Sequence, residues 1–189
     1  MRDYYRRASD LHGVFRSVLR RPTEEAPRRF FAALTKRRPA RDFEVRDGRL
    51  RAKSEALLAS GHGLLSAFAA AQAEGVPLSD ELALAVRERL SLADRELRES
   101  RETAAVFVDI LRWRGRVGLA LRAMHETGFL GRFLPEFGRV SFLVQHDFFH
   151  RYTVDEHTLR AIEAIDEVAS GTEAGVRPFG RILDEVEDA

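Results

Sequence analysis

The chain has 189 residues, 44% of them hydrophobic, and no cysteine. That supplies core material for one domain, or one domain and part of a second, and it excludes disulfides, thiolate metal sites and wholesale disorder. Net charge is only +1 but is unevenly spread, with 16 Lys and Arg against 7 Asp and Glu in residues 1–53, and 15 against 23 in residues 54–189.

The basic first quarter offers a face to RNA, nucleotide phosphates or an acidic surface, but an ordinary solvated face is the favoured reading. Only Lys36 and Lys53 among the basic residues are lysines. This skew points to genomic base composition rather than to selection for phosphate binding. No apolar run reaches the roughly 20 residues that cross a bilayer. The opening MRDYYRRASD lacks the apolar core of a signal peptide, so a cytoplasmic protein is expected.

Residues 2–21 read as a helix with Leu11, Phe15, Val18 and Leu19 on one face, and Pro22 and Pro27 bracket a turn. An Arg- and Pro-rich stretch, 28–42, carries a short apolar patch of Phe30, Phe31 and Leu34. Phe43 and Val45 then alternate with polar residues, Asp47-Gly48 supplies a turn and Leu50 follows, which predicts a small β-hairpin over residues 43–52. From about residue 54 the pattern is helical. Leu64, Leu65, Phe68 and Gln72 mark one helix, stopped by Gly75 and Pro77.

Ser79 is a good N-cap for a helix that buries Leu82, Val86 and Leu90. Val106, Phe107, Ile110 and Leu111 form the next apolar face. Gly115 to Thr127 follows with Val117, Leu121 and Met124, and Gly128 ends it. The segment 129–138, FLGRFLPEFG, predicts short turns of helix. Thr153 opens a further helix as the first member of a capping box with Glu156, and Leu159, Ile162 and Ile165 carry its apolar face to about Ala169. A Gly-rich turn and a short amphipathic stretch around Ile182, Leu183 and Val186 close the chain. The expected fold class is all-α, a multi-helix bundle with one small β-hairpin.

The motifs exclude several chemistries. There is no Gly-x-Ser-x-Gly elbow, no Walker A sequence and no Gly-x-Gly-x-x-Gly. Gly61-His62-Gly63 resembles a phosphate loop only superficially and reads as a helix-start turn. Four histidines fall between 125 and 157. His146-Asp147 is a tempting pair, because adjacent His and Asp ligands hold the metal in one phosphohydrolase superfamily, and His150 lies one helical turn beyond His146. No further carboxylate completes a metal signature there, so His125, His146 and His150 read as structural or surface residues. His157 stands in the first turn of a capped helix beside Asp155 and Glu156, where a fixed backbone aims the imidazole reproducibly. One histidine is not a metal site, since three or more protein ligands are usual. Spacing alone therefore favours a helix-surface histidine over a ligand.

The run from His150 to Arg160, HRYTVDEHTLR, shifts that balance. It resembles the start of the uridylyl-removing domain of bifunctional PII-protein uridylyltransferases. MRDYYRRA at 1–8, FEVRDGRL at 43–50 and AMHETGFLGRFLPEFGRV at 123–140 are similar to further elements of that family, in the same order. The resemblance implies a nucleotidyltransferase domain that moves UMP from UTP onto a tyrosine of the PII signal protein. It also implies a His-Asp (HD-type) metal-dependent domain that hydrolyses the UMP off again, and C-terminal ACT domains that sense glutamine.

On this reading residues 1–140 are the central helical region and residues 141–189 the N-terminal start of the HD-type hydrolase domain. His157 matches the first metal ligand, and the next ligands, an adjacent His-Asp pair, follow beyond Ala189. His146-Asp147 precedes His157 and is not that pair. A divalent ion, Mg or Mn, would serve the whole protein by lowering the pKa of bound water. Tight metal binding and activity are not expected of these 189 residues alone. PII and UTP are the expected partners, with no membrane and no nucleic acid. The alternatives are a CCA-adding tRNA nucleotidyltransferase, which shares a Leu-Pro-Glu such as 134–136 and a helix-borne His-Thr-Leu such as 157–159, and a free-standing, non-catalytic helical interaction module.

Overall fold

The computed structural model describes residues 42–143 and 152–170. The helix expected over 2–21, the apolar patch of Phe30, Phe31 and Leu34, His146, His150 and the stretch after 170 lie outside the described residues. Within them the chain is mostly helical with one small hairpin, as the sequence pattern predicts.

The hairpin pairs β1 (Phe43–Arg46) with β2 (Arg49–Ala52) in antiparallel register, Phe43 opposite Ala52 and Val45 opposite Leu50. Asp47 and Gly48 both take positive φ, 51° and 69°. That is the turn whose twist matches the strands it joins. Phe43 and Leu50 are buried, while Val45, near the tip, stays 38% exposed. Leu50 also makes a parallel bridge to Leu78: its amide donates to Pro77 at 2.8 Å, and its carbonyl accepts from Ser79 at 2.9 Å. Arg49 reinforces this joint through the Leu78 carbonyl and Asp80, each at 3.2 Å. A two-stranded hairpin is marginal by itself. Here it is held against the helices.

A short 3₁₀ turn (Glu55–Leu58) leads into α1 (Gly61–Glu74). Ser60 caps α1 by accepting from the Gly63 amide at 3.1 Å, and Gly75, at φ 68°, ends it in the left-handed conformation. Leu64, Leu65, Ala67, Phe68, Ala70 and Ala71 are all buried, so α1 is covered on most sides and forms the bundle axis. Around it lie α2 (Asp80–Glu88), α3 (Arg95–Glu99), α4 (Arg101–Leu111), α5 (Val117–Glu126), α6 (Phe129–Phe133) and α7 (Pro135–Val140). Last in the described chain comes α8 (Val154–Ser170). Ser79, Asp94 and Ser100 cap α2, α3 and α4 by accepting backbone amides. Phe68 meets Phe129 in a tilted ring contact, with centroids 5.2 Å apart, that fastens α6 to α1, and Phe129 stacks on Phe133 at 5.7 Å.

Among the buried polar residues, Gln72 ties three elements together. Gln72, 1% exposed, donates from Nε2 to the Ile110 carbonyl at 2.8 Å and to the Arg116 carbonyl at 3.1 Å. Arg116 answers by donating to the Gln72 and Ala73 carbonyls at the end of α1. The ends of α1 and α4 and the loop into α5 thus satisfy one another's backbone groups.

One expected detail differs. Leu111 is exposed, because α4 turns Ile110 inward and Leu111 lies a full 100° around the helix. Gly61 and Gly63 fall inside the first turn of α1, and close packing explains them. A Cβ on Gly61 would lie 2.4 Å from the Leu92 carbonyl oxygen, and one on Gly63 only 1.8 Å from that of Leu57. The 3₁₀ turn therefore passes hard against the start of α1. Gly63→Ala should lower stability by about 1–3 kcal/mol, read as a reduced urea midpoint with an unchanged slope. A wild-type midpoint would show that the turn and helix do not meet this closely.

Candidate functional site

His157 lies in the first turn of α8, its amide donating to Thr153 at 2.9 Å. The residue is exposed, and its imidazole makes no hydrogen bond or ion pair with any described residue. Ala161, Ala164 and Ile165 continue the same exposed side of the helix, with Ile165 53% exposed. Ile165 was expected in the buried face with Leu159 and Ile162. Leu159 is fully buried and Ile162 partly so, but the next inward position is taken by Asp166.

The opposite side of α8 is fixed to α5, its most extensive partner. Three polar joints make the contact. In the first, Asp155, 1% exposed, takes the Phe142 amide on Oδ2 at 3.0 Å, and the same oxygen lies 3.3 Å from His125 Nε2. The His125 ring is flanked by Phe137 and Phe142, with centroids at 5.7 and 5.9 Å. In the second, Arg122 on α5 grips Glu163 with two parallel bonds of 2.8 and 2.9 Å and reaches Glu156 with its remaining terminal nitrogen.

The third joint is an inter-helix cap. Arg116, at the N-cap position of α5, gives no side-chain capping bond. Asp166 of α8 accepts from the Gly118 amide at 2.6 Å, and the amides of Val117 and Gly115 also point to its carboxylate. Gly118 permits this approach, since a Cβ there would meet Glu163 Cγ at 2.8 Å.

These joints shift protonation. Burial pushes the His125 imidazole below its usual value, against the pull of the Asp155 carboxylate. Burial raises the Asp166 carboxyl, opposed by the amides it accepts. For Arg122, burial works against the charge, but the bonds to Glu163 and Glu156 outweigh it and hold the pKa above the ordinary value.

The expected capping box takes a different form. Glu156 gives its carboxylate to Arg122 and to Arg160, the latter at 2.8 Å, rather than to the backbone at Thr153. Of the four histidines between 125 and 157, His125 is partly buried in an inter-helix joint, while His157 is exposed, and His146 and His150 lie outside the described residues. Among the described residues there is no group of three or more His, Cys, Asp or Glu that could hold a metal ion. His157 is thus exposed, with no companion ligands among the described residues. A shallow apolar groove of about 400 Å³ is lined by Phe107, Val108, Phe133, Leu134 and Pro135 among others, and no residue of α8 borders it.

Sequence reasoning missed Arg122, Glu163 and Asp166. Their signal was present: Asp155, Leu159, Ile162, Glu163 and Asp166 recur at helical spacing, so the acids lie along the apolar stripe.

The His125 shift has a signed consequence. With its folded pKa depressed, the imidazole contributes stability above its unfolded pKa of about 6.5, and that contribution is lost as pH falls through the folded value. Thermal unfolding should show Tm falling from pH 7 to pH 5, with that part of the slope absent in His125→Gln. Parallel curves for the two proteins would contradict the burial of a neutral ring.

Known proteins resemble the chain along most of its length. Residues 43–133 match the family described as the uridylyltransferase GlnD third domain. A bifunctional uridylyltransferase/uridylyl-removing enzyme of Novosphingobium aromaticivorans is 34% identical over 176 residues, 92% of this chain and 19% of that protein. Those so named from Phenylobacterium zucineum and Azospirillum brasilense are 39% and 32% identical over 76% and 86% of the chain, and 16% and 18% of their own lengths. No solved structure matches. The chain spans about a fifth of the length of the curated relatives it matches. Through its third-domain segment and these relatives, the chain belongs to the family of bifunctional uridylyltransferase/uridylyl-removing enzymes.

Proposed function

We propose that the chain is the part of such an enzyme in which the central helical domain mounts the first helix of the metal-dependent, uridylyl-removing domain. The boundary falls near residue 140, so that α8 belongs to the hydrolase side and α1–α7 to the helical side. The whole protein transfers UMP from UTP to a tyrosine of the PII signal protein and hydrolyses it off again. It works in the cytoplasm, and among the described residues no helix is long and apolar enough to cross a membrane.

One observation carries this reading: α8 is fixed to α5 by three polar joints on one face and presents His157 on the other. A histidine held on a rigid helix and left open is arranged for a partner that the described residues do not supply. His157 would be one ligand of a divalent ion, Mg or Mn, and such an ion supplies Lewis-acid activation of water for phosphodiester cleavage. The contribution of this chain's own residues is positional. Asp155, Glu156, Glu163 and Asp166 fix the rotation of α8 about its axis, and that rotation sets the direction of the imidazole.

A single histidine gives little affinity, because structural and catalytic sites use three or more protein ligands. Titration of Mn²⁺ into the 189-residue chain should show no stoichiometric site tighter than about millimolar, and the chain should release no UMP from uridylylated PII. Tight one-to-one binding would contradict the proposal. So would a reading frame that stops after codon 189, where the proposal requires continuation into an adjacent His-Asp pair.

A further inference from the structure

Arg160 lies three residues beyond His157, so its Cβ is about 5–6 Å from that of the histidine on the same side of α8. It is not a loose surface cation. Its Nε donates to Glu156 at 2.8 Å, and its guanidinium lies 4.4 Å from the centroid of the Tyr152 ring. Glu156 is itself held by Arg122 from α5. The arginine is thus fixed on two sides, and neither of its terminal nitrogens has a partner among the described residues. A stacked guanidinium with its terminal edge open is preorganised for a phosphate oxygen pair.

We infer that Arg160 is a substrate-binding residue of the uridylyl-removing site, taking the non-bridging oxygens of the phosphodiester that joins UMP to tyrosine. Tyr152 and Glu156 are its positioning residues. This rests on the assignment of His157 to that site. In the reaction the oxygen of water forms a new bond to phosphorus. The bond from phosphorus to the tyrosyl oxygen breaks, and the phenol leaves with a proton. Arg160 compensates charge on the two oxygens that take no part in bond exchange.

Two measurements test this. In the full-length enzyme, with rates normalised to uridylyl transfer, Arg160→Gln should lower kcat/KM for removal about tenfold to a hundredfold, with Arg160→Lys recovering part of the loss. Tyr152→Ala should lower it about twofold to fivefold. In the 189-residue chain, without metal, the Arg160 Nε–H resonance should move on titration with inorganic phosphate, and should move less in Tyr152→Ala. His157→Ala separates the two ideas. If it abolishes removal while Arg160→Gln does not weaken it, the arginine's role is overturned and the site assignment stands. If removal survives His157→Ala, the site assignment itself falls. A phosphate titration that leaves the Arg160 resonance unmoved also overturns the arginine's role.

Discussion

The grip of Arg122 on α8 is the constraint around which the described residues from α5 onward are organised. A guanidinium offers donors in a rigid fork, and here one edge is filled by Glu163 and the other reaches Glu156, seven residues earlier on the same helix. Two carboxylates two turns apart can meet one planar group only if the helix has a single rotation and a single axial position. The apolar contacts of Leu159 and Ile162 would tolerate some rotation; the arginine does not. Because Arg122 is half-buried, its carboxylate bonds outweigh the burial that works against its charge. Losing either glutamate would leave positive charge poorly compensated in a drying interface.

Binary patterning revealed the helices and hid the chemistry that orients them. The hairpin was legible because Asp47-Gly48 is a turn signal with few other uses. The stop at Gly75 and the caps at Ser79 and Gly128 were legible because they are local. Gln72 was visible as a member of an apolar face, but nothing in its neighbourhood announces the carbonyls of Ile110 and Arg116, which lie some 40 residues away in sequence. Leu111 and Ile165 were misplaced for a related reason. Each sits beside the position that turns inward, Ile110 for one and Asp166 for the other, and only the partner helix decides which of two adjacent residues that is.

The histidines show the same division between local and distant information. His157 was singled out because of the motif around it, and its openness in the structure leaves it available. His125 is the better connected residue, and its connection to Asp155 crosses 30 positions. Neither residue's neighbours in sequence distinguish a ring that seals an interface from one that faces outward. Burial makes that distinction, and burial depends on how α5, α7 and α8 come together.

The cap that Asp166 places on α5 ties the family-matched segment to a helix that lies beyond it. Residues 43–133 are recognisable as a domain in their own right, yet the helix in their midst begins on amides whose acceptor belongs to a later segment. Folding of the one is therefore thermodynamically coupled to docking of the other. An excised third domain would start α5 with frayed backbone, and any influence that loosens α8 would be felt at the core packing of Leu121 and Met124.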